Sequence, residues 1–269
     1  MINLDTSNLK TVPYPYLIQK NIINNNIYQS LKNHFPGDEV FNKNRSNADY
    51  IFQGGCKGFF RSSPGFNEYL KTNDPWNELF NYINNKKFMN EVIEVLRNSL
   101  DQFNLKNKIE QWKYSNYVEP NYPNLTSRIF NKLKMNYLYD QFFKILHSKN
   151  DYYFLFEILK AENGYSREIH TDNKNKLAIM LFYFGSLEGE NPGGEFVMYE
   201  PRIKKELKDF ERFPDINNVK EIARITPEDN VGGLMLNCPN AYHSVTKITN
   251  TISSRKFLQV SLCSHQVLW

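Results

Sequence analysis

The chain is poor in the residues that build most small protein sites. It has 269 residues but only five histidines and three cysteines. Cys56, Cys238 and Cys263 are scattered, odd in number and without a CxxC spacing, which excludes a disulfide framework and a thiolate zinc site and points to a reducing compartment. No stretch of eighteen apolar residues occurs, so a transmembrane helix is not expected. The opening "MINLDTSNLKTVPYPYL" lacks a basic start followed by an apolar run, and a cytoplasmic location is expected. There is no long block of one charge sign either. With 33 Lys and Arg against 29 Asp and Glu, the net +4 gives no reason to expect a nucleic-acid or membrane partner. The glycine-rich "FQGGCKGFFRSSPGF" is no phosphate cradle, because no GxxxxGK[ST] follows a strand; it is expected to be a packed surface loop.

What is present is material for a core: 41% hydrophobic residues, 15% of the chain aromatic. That suffices for one large folded domain or two small ones. In "NNNIYQSLKNHFP", Ile27, Leu31 and Phe35 fall at helical spacing before Pro36. Asp74 is expected to cap a second helix, with Pro75 at its first position and Trp76, Leu79, Phe80 and Ile83 on one face. A third helix carries Phe88, Val92, Val95 and Leu96, and a further helical run, "TSRIFNKLKMNYLYDQFFKILHS", ends near His147.

From about residue 152 the texture changes to short apolar runs: "YYFLFEIL", "LAIMLFYFG", "GEFVMYEP", "GGLMLNC" and "KFLQVSLCS". Five such runs separated by Gly, Asn and Pro predict an antiparallel sandwich or jelly roll. The fold expected is therefore α+β, with residues 1–150 a mainly helical support and 151–269 the β core of a single integrated domain. The charged stretch "RIKKELKDFERFPDINNVKEIARITPEDN" reads as a solvated loop or surface helix in preference to a lid.

Within "REIHTDNKN", His170 and Asp172 stand two positions apart. In extended chain such residues point the same way about 6 to 7 Å apart, so both can grip one ion. A third ligand must come from elsewhere, and His243, after a Pro-Asn turn in "LMLNCPNAYHSV", is the best candidate; His265 is the rival, and Cys238 reads as a buried thiol. Two imidazoles and one carboxylate leave open positions on an ion, the arrangement that suits non-haem Fe(II). Twelve residues after His243, Arg255 opens a strand on which Phe257, Gln259 and Ser261 share its face. An arginine pointing into an apolar barrel needs a carboxylate partner, which a keto-acid cosubstrate supplies.

The order of HxD, "LFYF", "PGGEFVMYEP", "ITPEDNVGGLMLNCPNAYHSV" and an Arg on the last strand resembles the Fe(II)- and 2-oxoglutarate-dependent oxygenase superfamily, most of all its prolyl-hydroxylase-type branch, and the N-terminal "VPYPYLIQKNIINNNIYQSLKNHFP" and "NDPWNELFNYINN" resemble openings of its bacterial and phage members. The core match covers roughly residues 153 to 264. It implies a double-stranded β-helix, Fe(II) held by His170, Asp172 and His243, and 2-oxoglutarate and O2 as cosubstrates. Arg255 would anchor the distal carboxylate of 2-oxoglutarate, with the Tyr183 hydroxyl beside it. Gly193 and Gly194 match a turn needing positive φ or close backbone approach. Phe257 departs from the family's small hydroxyl residue two positions after the Arg. Asp172, in place of Gly or Ala, implies hydroxylation over halogenation.

Two other classes stay open: a cupin-like metal enzyme that does not use 2-oxoglutarate, and a non-catalytic jelly-roll binding module. The substrate is expected to be a small molecule or glycan-like, with peptidyl proline permitted by the resemblance. Tyr165 and Arg167, just upstream of the HxD, belong either to the substrate entrance or to the outer face of the strand.

Overall fold

The computed structural model describes residues 1–43, 55–103, 105, 109, 113–116, 151–203, 211–265 and 267–269. The helical run ending near His147 lies outside the described residues, as does part of the charged stretch after Pro201.

The N-terminal part opens with β1 (Leu9–Lys10) and β2 (Tyr16–Lys20), followed by α1 (Asn25–Asn33) and α2 (Asp38–Lys43). Asn24 starts α1 by accepting from the Asn26 amide, and the helix buries Tyr28 and Leu31. Next come β3 (Cys56–Phe60), α3 (Phe66–Thr72), α4 (Asp74–Ile83), α5 (Lys86–Leu100) and β4 (Lys113–Tyr114). The glycine-rich segment is thus not only a loop, since β3 pairs with the core and buries Cys56, Phe59 and Phe60. Its glycines hid a strand too short to show a period.

Asp74 is the first residue of α4 and not its cap. The cap position falls to Asn73, whose side chain donates instead to the Tyr69 carbonyl at 2.8 Å, while Asp74 contributes its negative charge to the first turn. Asn85 does cap α5: its Oδ1 accepts from the Phe88 amide at 3.0 Å, and its Nδ2 reaches back to the Asn81 and Tyr82 carbonyls at the end of α4. One side chain therefore satisfies the ends of two helices. Asn85→Ala is expected to lower stability by about 1 to 2 kcal/mol, read as a fall in urea midpoint with the slope unchanged.

Eight further strands follow: β5 (Asp151–Ala161), β6 (Arg167–His170), β7 (Lys176–Tyr183), β8 (Phe196–Pro201), β9 (Val219–Ile225), β10 (Val231–Leu236), β11 (Tyr242–Val245) and β12 (Arg255–Ser264). They sort into two sheets. The larger runs β1-β2-β10-β7-β12-β5-β3, with β4 beside β5, and the smaller runs β6-β11-β8-β9. The central pairing of the larger sheet sets Arg255 opposite Ala161 and Ser264 opposite Tyr152. The charged stretch holds a strand, β9, antiparallel to β8 with Phe196 opposite Ile225. Its sequence, VKEIARI, is buried only at its ends, which is why its charges read as a solvated surface.

The two faces of β5 explain how helices and site share one scaffold. Phe154 and Phe156 turn to the helices, where Phe156 packs edge-on against Phe66, Trp76 and Phe80, and Phe154 meets Phe88. Leu155 and Glu157, one position out of phase, line a cavity on the other side. Between β7 and β8, Gly193 (φ 69°) and Gly194 (φ 74°) adopt the left-handed conformation, and a Cβ on Gly193 would strike the Lys247 carbonyl. That close approach lets the loop lie against the chain leaving β11.

Candidate metal centre

His170 is the last residue of β6 and stands opposite His243 of β11, so their side chains emerge side by side. The imidazole centroids lie 4.4 Å apart at 56°. The turn that delivers His243 to the smaller sheet passes through Pro239 and Asn240, the latter at φ 73°. Asp172 lies beyond the end of β6. The Thr171 amide donates to the Arg212 carbonyl at 3.1 Å, which holds the chain on course and leaves Asp172 on the side of His170. Ligand atoms of His170, Asp172 and His243 all fall within 4.8 Å of one another, the one such grouping found among the described residues. Small side-chain rotations close that spacing onto a single ion.

The surroundings set the protonation state a cation needs. Nδ1 of His170 sits 2.7 Å from the Glu168 carbonyl, which fixes a proton there and turns Nε2 to the ligand side. Burial lowers the His170 pKa, and it pushes His243 down to about 3, with the neighbouring His170 adding to the effect. Burial works to raise the Asp172 carboxyl, yet Lys176, His243 and His170 together outweigh it and hold the group well below the carboxylate range. Lys176 Nζ is 3.4 Å from Asp172 Oδ2, and His243 Nε2 is 3.9 Å from the same oxygen. Neutral imidazoles and an ionised carboxylate are what a divalent metal binds without displacing protons. Phe196 stacks on His243 at 5.0 Å and closes that side to water.

Arg255 begins β12 and is 1% exposed. Its Nη2 donates to the Tyr183 hydroxyl at 2.6 Å, and its guanidinium lies 4.2 Å over Phe257 and 4.9 Å over Tyr183. Tyr183 and Phe257 face each other across β7 and β12, so one cross-strand pair forms the clamp. Phe257 gives Arg255 an aromatic floor. Nε and Nη1 of Arg255 are buried without a hydrogen-bond partner. Burial raises the Tyr183 phenol, with Arg255 opposing.

A cavity of about 330 Å³ joins the two halves, lined by His170, Asp172, His243 and Arg255 together with Arg167 and Gln259. The donor set fits a divalent metal, and the two orphaned N–H groups of Arg255 fit a carboxylate. The remaining sequence candidates lie apart: Cys238 is buried with its thiol pushed up by burial, and the His265 ring packs on Tyr153 at 4.8 Å. Sequence reasoning missed Lys176 and Arg212, both of which line the cavity. Lys176 had one available signal, its i+4 spacing from Asp172; Arg212 lay in a charged stretch with none.

No family model matches the chain, and no curated protein matches it. Solved structures do. A Pseudomonas putida prolyl-4-hydroxylase aligns over 93% of this chain and 92% of its own, with a TM-score of 0.43 and 9% identity. A Trichoplax adhaerens prolyl hydroxylase in complex with a hypoxia inducible factor oxygen degradation domain peptide fragment covers 93% and 83%, with a TM-score of 0.41 and 12% identity. A Burkholderia pseudomallei oxidoreductase of the 2OG-Fe(II) oxygenase family covers 52% and 55%, at 0.29 and 13%. The functional reading rests on the geometry of the site itself.

Proposed function

We propose that the chain is a non-haem Fe(II)- and 2-oxoglutarate-dependent dioxygenase that hydroxylates a C–H bond, built on a double-stranded β-helix. The observation that carries the reading is the pairing, in one cavity, of a two-histidine, one-carboxylate cluster with a buried arginine whose Nε and Nη1 lack partners. The jelly-roll reading is supported by the strand order: β5 and β7 enter the larger sheet, β6 and the β8–β9 pair the smaller, and β10, β11 and β12 alternate back. Residues 151–269 then form the catalytic core. Residues 1–150 would support it within one domain, since β2 pairs with β10 and β3 with β5.

Iron with 2-oxoglutarate and O2, when bound, supplies the oxidising chemistry and releases succinate and CO2. His170, Asp172 and His243 would hold the metal. Arg255 and Tyr183 would receive the distal carboxylate, with Phe257 packed against the guanidinium at 4.2 Å. Lys176 fixes the Asp172 carboxylate and supplies no hydrogen-bond acceptor that a substrate could use. The reading also keeps a cytoplasmic location and no membrane or nucleic-acid partner; no helix among the described residues is long and apolar enough to cross a membrane. The substrate class is a small or glycan-like molecule. Peptidyl proline is the second candidate, as a peptide is bound by the Trichoplax protein.

The test is an anaerobic titration of the protein with Fe(II) and then 2-oxoglutarate, followed by the visible charge-transfer band of the iron–keto acid chelate. A saturable band at one iron per chain supports the reading. Iron binding without the band removes the cosubstrate, and no iron binding removes the enzyme. Tyr183→Phe deletes one hydrogen bond to Arg255 and one to the carboxylate, so the 2-oxoglutarate concentration at half-saturation is expected to rise about tenfold with the iron stoichiometry unchanged.

A further inference from the structure

The site holds more positive charge than the proposed chemistry uses. Four basic side chains, Arg167, Lys176, Arg212 and Arg255, line the cavity, against two acidic ones, Glu157 and Asp172. Lys176 is taken by Asp172, and Glu157 accepts from Gln259 Nε2 at 3.0 Å. Arg255 is reserved for the cosubstrate under the function proposed above. Fe(II) and the 2-oxoglutarate dianion neutralise each other, so loading the site leaves the surplus on Arg167 and Arg212. Arg167 has no ion pair or side-chain hydrogen bond among the described residues, and Arg212 uses only Nε, donating to the Thr171 carbonyl at 3.3 Å.

Arg212 is exposed yet fixed in place. Its carbonyl accepts from the Thr171 amide, and the preceding Glu211 carbonyl accepts from the Tyr242 hydroxyl at 3.0 Å. The charged stretch is thereby pinned to the residues on either side of two metal ligands, His170 and His243. Arg212 stacks on Phe213 at 5.3 Å, and the Phe213 ring lies 6.2 Å from that of His170, nearly parallel to it. Phe213 is 53% exposed and offers an apolar shelf beside the metal position.

We propose that Arg167 and Arg212 form the anion subsite of the substrate pocket, so that the substrate is a small molecule bearing a carboxylate or phosphate group, with its aliphatic part against Phe213. This inference rests on the function proposed above and narrows it: the interior of a neutral peptide lacks the group these arginines would bind. Guanidinium pairs bind both oxyanions through the same forked hydrogen bonds.

The experiment uses Mn(II) in place of iron, so that no turnover occurs, with the full chain saturated in 2-oxoglutarate. Inorganic phosphate is titrated while its ³¹P line width is followed, and ¹³C-acetate is titrated in a parallel series. Saturable paramagnetic broadening of at least one probe is expected, and the arm that saturates at lower concentration identifies phosphate or carboxylate. Arg167→Gln and Arg212→Gln should each raise half-saturation by about fivefold to tenfold, with the lysine variants recovering part of the loss. Mn(II) binding by electron paramagnetic resonance and 2-oxoglutarate binding by calorimetry should stay within about twofold in all four variants. Broadening that does not saturate, that the glutamine variants leave unchanged, or that disappears as 2-oxoglutarate is raised overturns the subsite. Failure of wild type to bind Mn(II) and 2-oxoglutarate is a different result, which overturns the proposed function and this inference with it.

Discussion

His170→Ala and His243→Ala are each expected to weaken Fe(II) binding by at least about two orders of magnitude, because loss of a partner one shell further out already costs tenfold to a hundredfold at metal sites. The more informative comparison is with Asp172→Ala. Each histidine is a buried ring, so removing either should cost its packing, about 1 to 2 kcal/mol, without leaving a buried charge unpaired. Asp172 differs, since its carboxylate neutralises Lys176, whose side chain is only 12% exposed. Deleting it strands a buried ammonium and should cost about 3 to 5 kcal/mol in addition to the metal. The folded pKa of Asp172 lies below its unfolded value, so the pair's contribution is present above about pH 4 and is lost as the pH falls through the folded pKa. Lys176 is raised by the same pair, against burial, and its share is lost only at strongly alkaline pH. Calorimetry with Fe(II) under argon, beside urea melts at pH 7 and at about pH 2, separates the three variants. Equal stability loss in all three would mean that the cluster is a packing element and not a metal site.

How much of this was legible in the sequence follows from what burial does to a strand's composition. β5, β7, β10 and β12 are covered on both faces over much of their length, and their runs of Leu, Ile, Met and Phe announced them. The strands of the smaller sheet did not announce themselves so clearly. β6 is REIH and β11 is YHSV, four residues each, whose composition is set by the ligands they carry more than by a core. The structure gives His170 a short strand of its own, β6, with Asp172 just beyond its end. His170, His243, Arg255 and Tyr183 were readable through their order along the chain; their convergence, including the short bond between Arg255 and Tyr183, required the pairing of β7 with β12. Arg212 was not readable at all. It comes to the site through the backbone, from Thr171 to its carbonyl, and backbone pairing of an irregular segment leaves no side-chain pattern.

Arg255→Met is expected to raise the 2-oxoglutarate concentration needed for half-saturation by about a hundredfold while leaving Fe(II) affinity within twofold, because a charge-assisted, forked contact to a carboxylate is exchanged for a thioether that can donate nothing. Methionine keeps the length and apolar stem that Phe257 and Tyr183 enclose, so the clamp need not collapse. Stability should rise or hold. The guanidinium is buried, no carboxylate forms an ion pair with it among the described residues, and two of its nitrogens lack partners, so the metal-free protein carries a desolvated charge held only by Tyr183 and two ring faces. Replacing such a group by an apolar one of similar volume is commonly neutral or favourable. Arg255→Lys should fall between, retaining the charge but not the fork. A protein stabilised by the methionine substitution and impaired only in 2-oxoglutarate binding would show that this residue is retained against the interest of the fold. If Arg255→Met instead unfolded the chain, or left the charge-transfer titration unchanged, the arginine would be part of the packing between the strands and the cosubstrate would have to be held elsewhere.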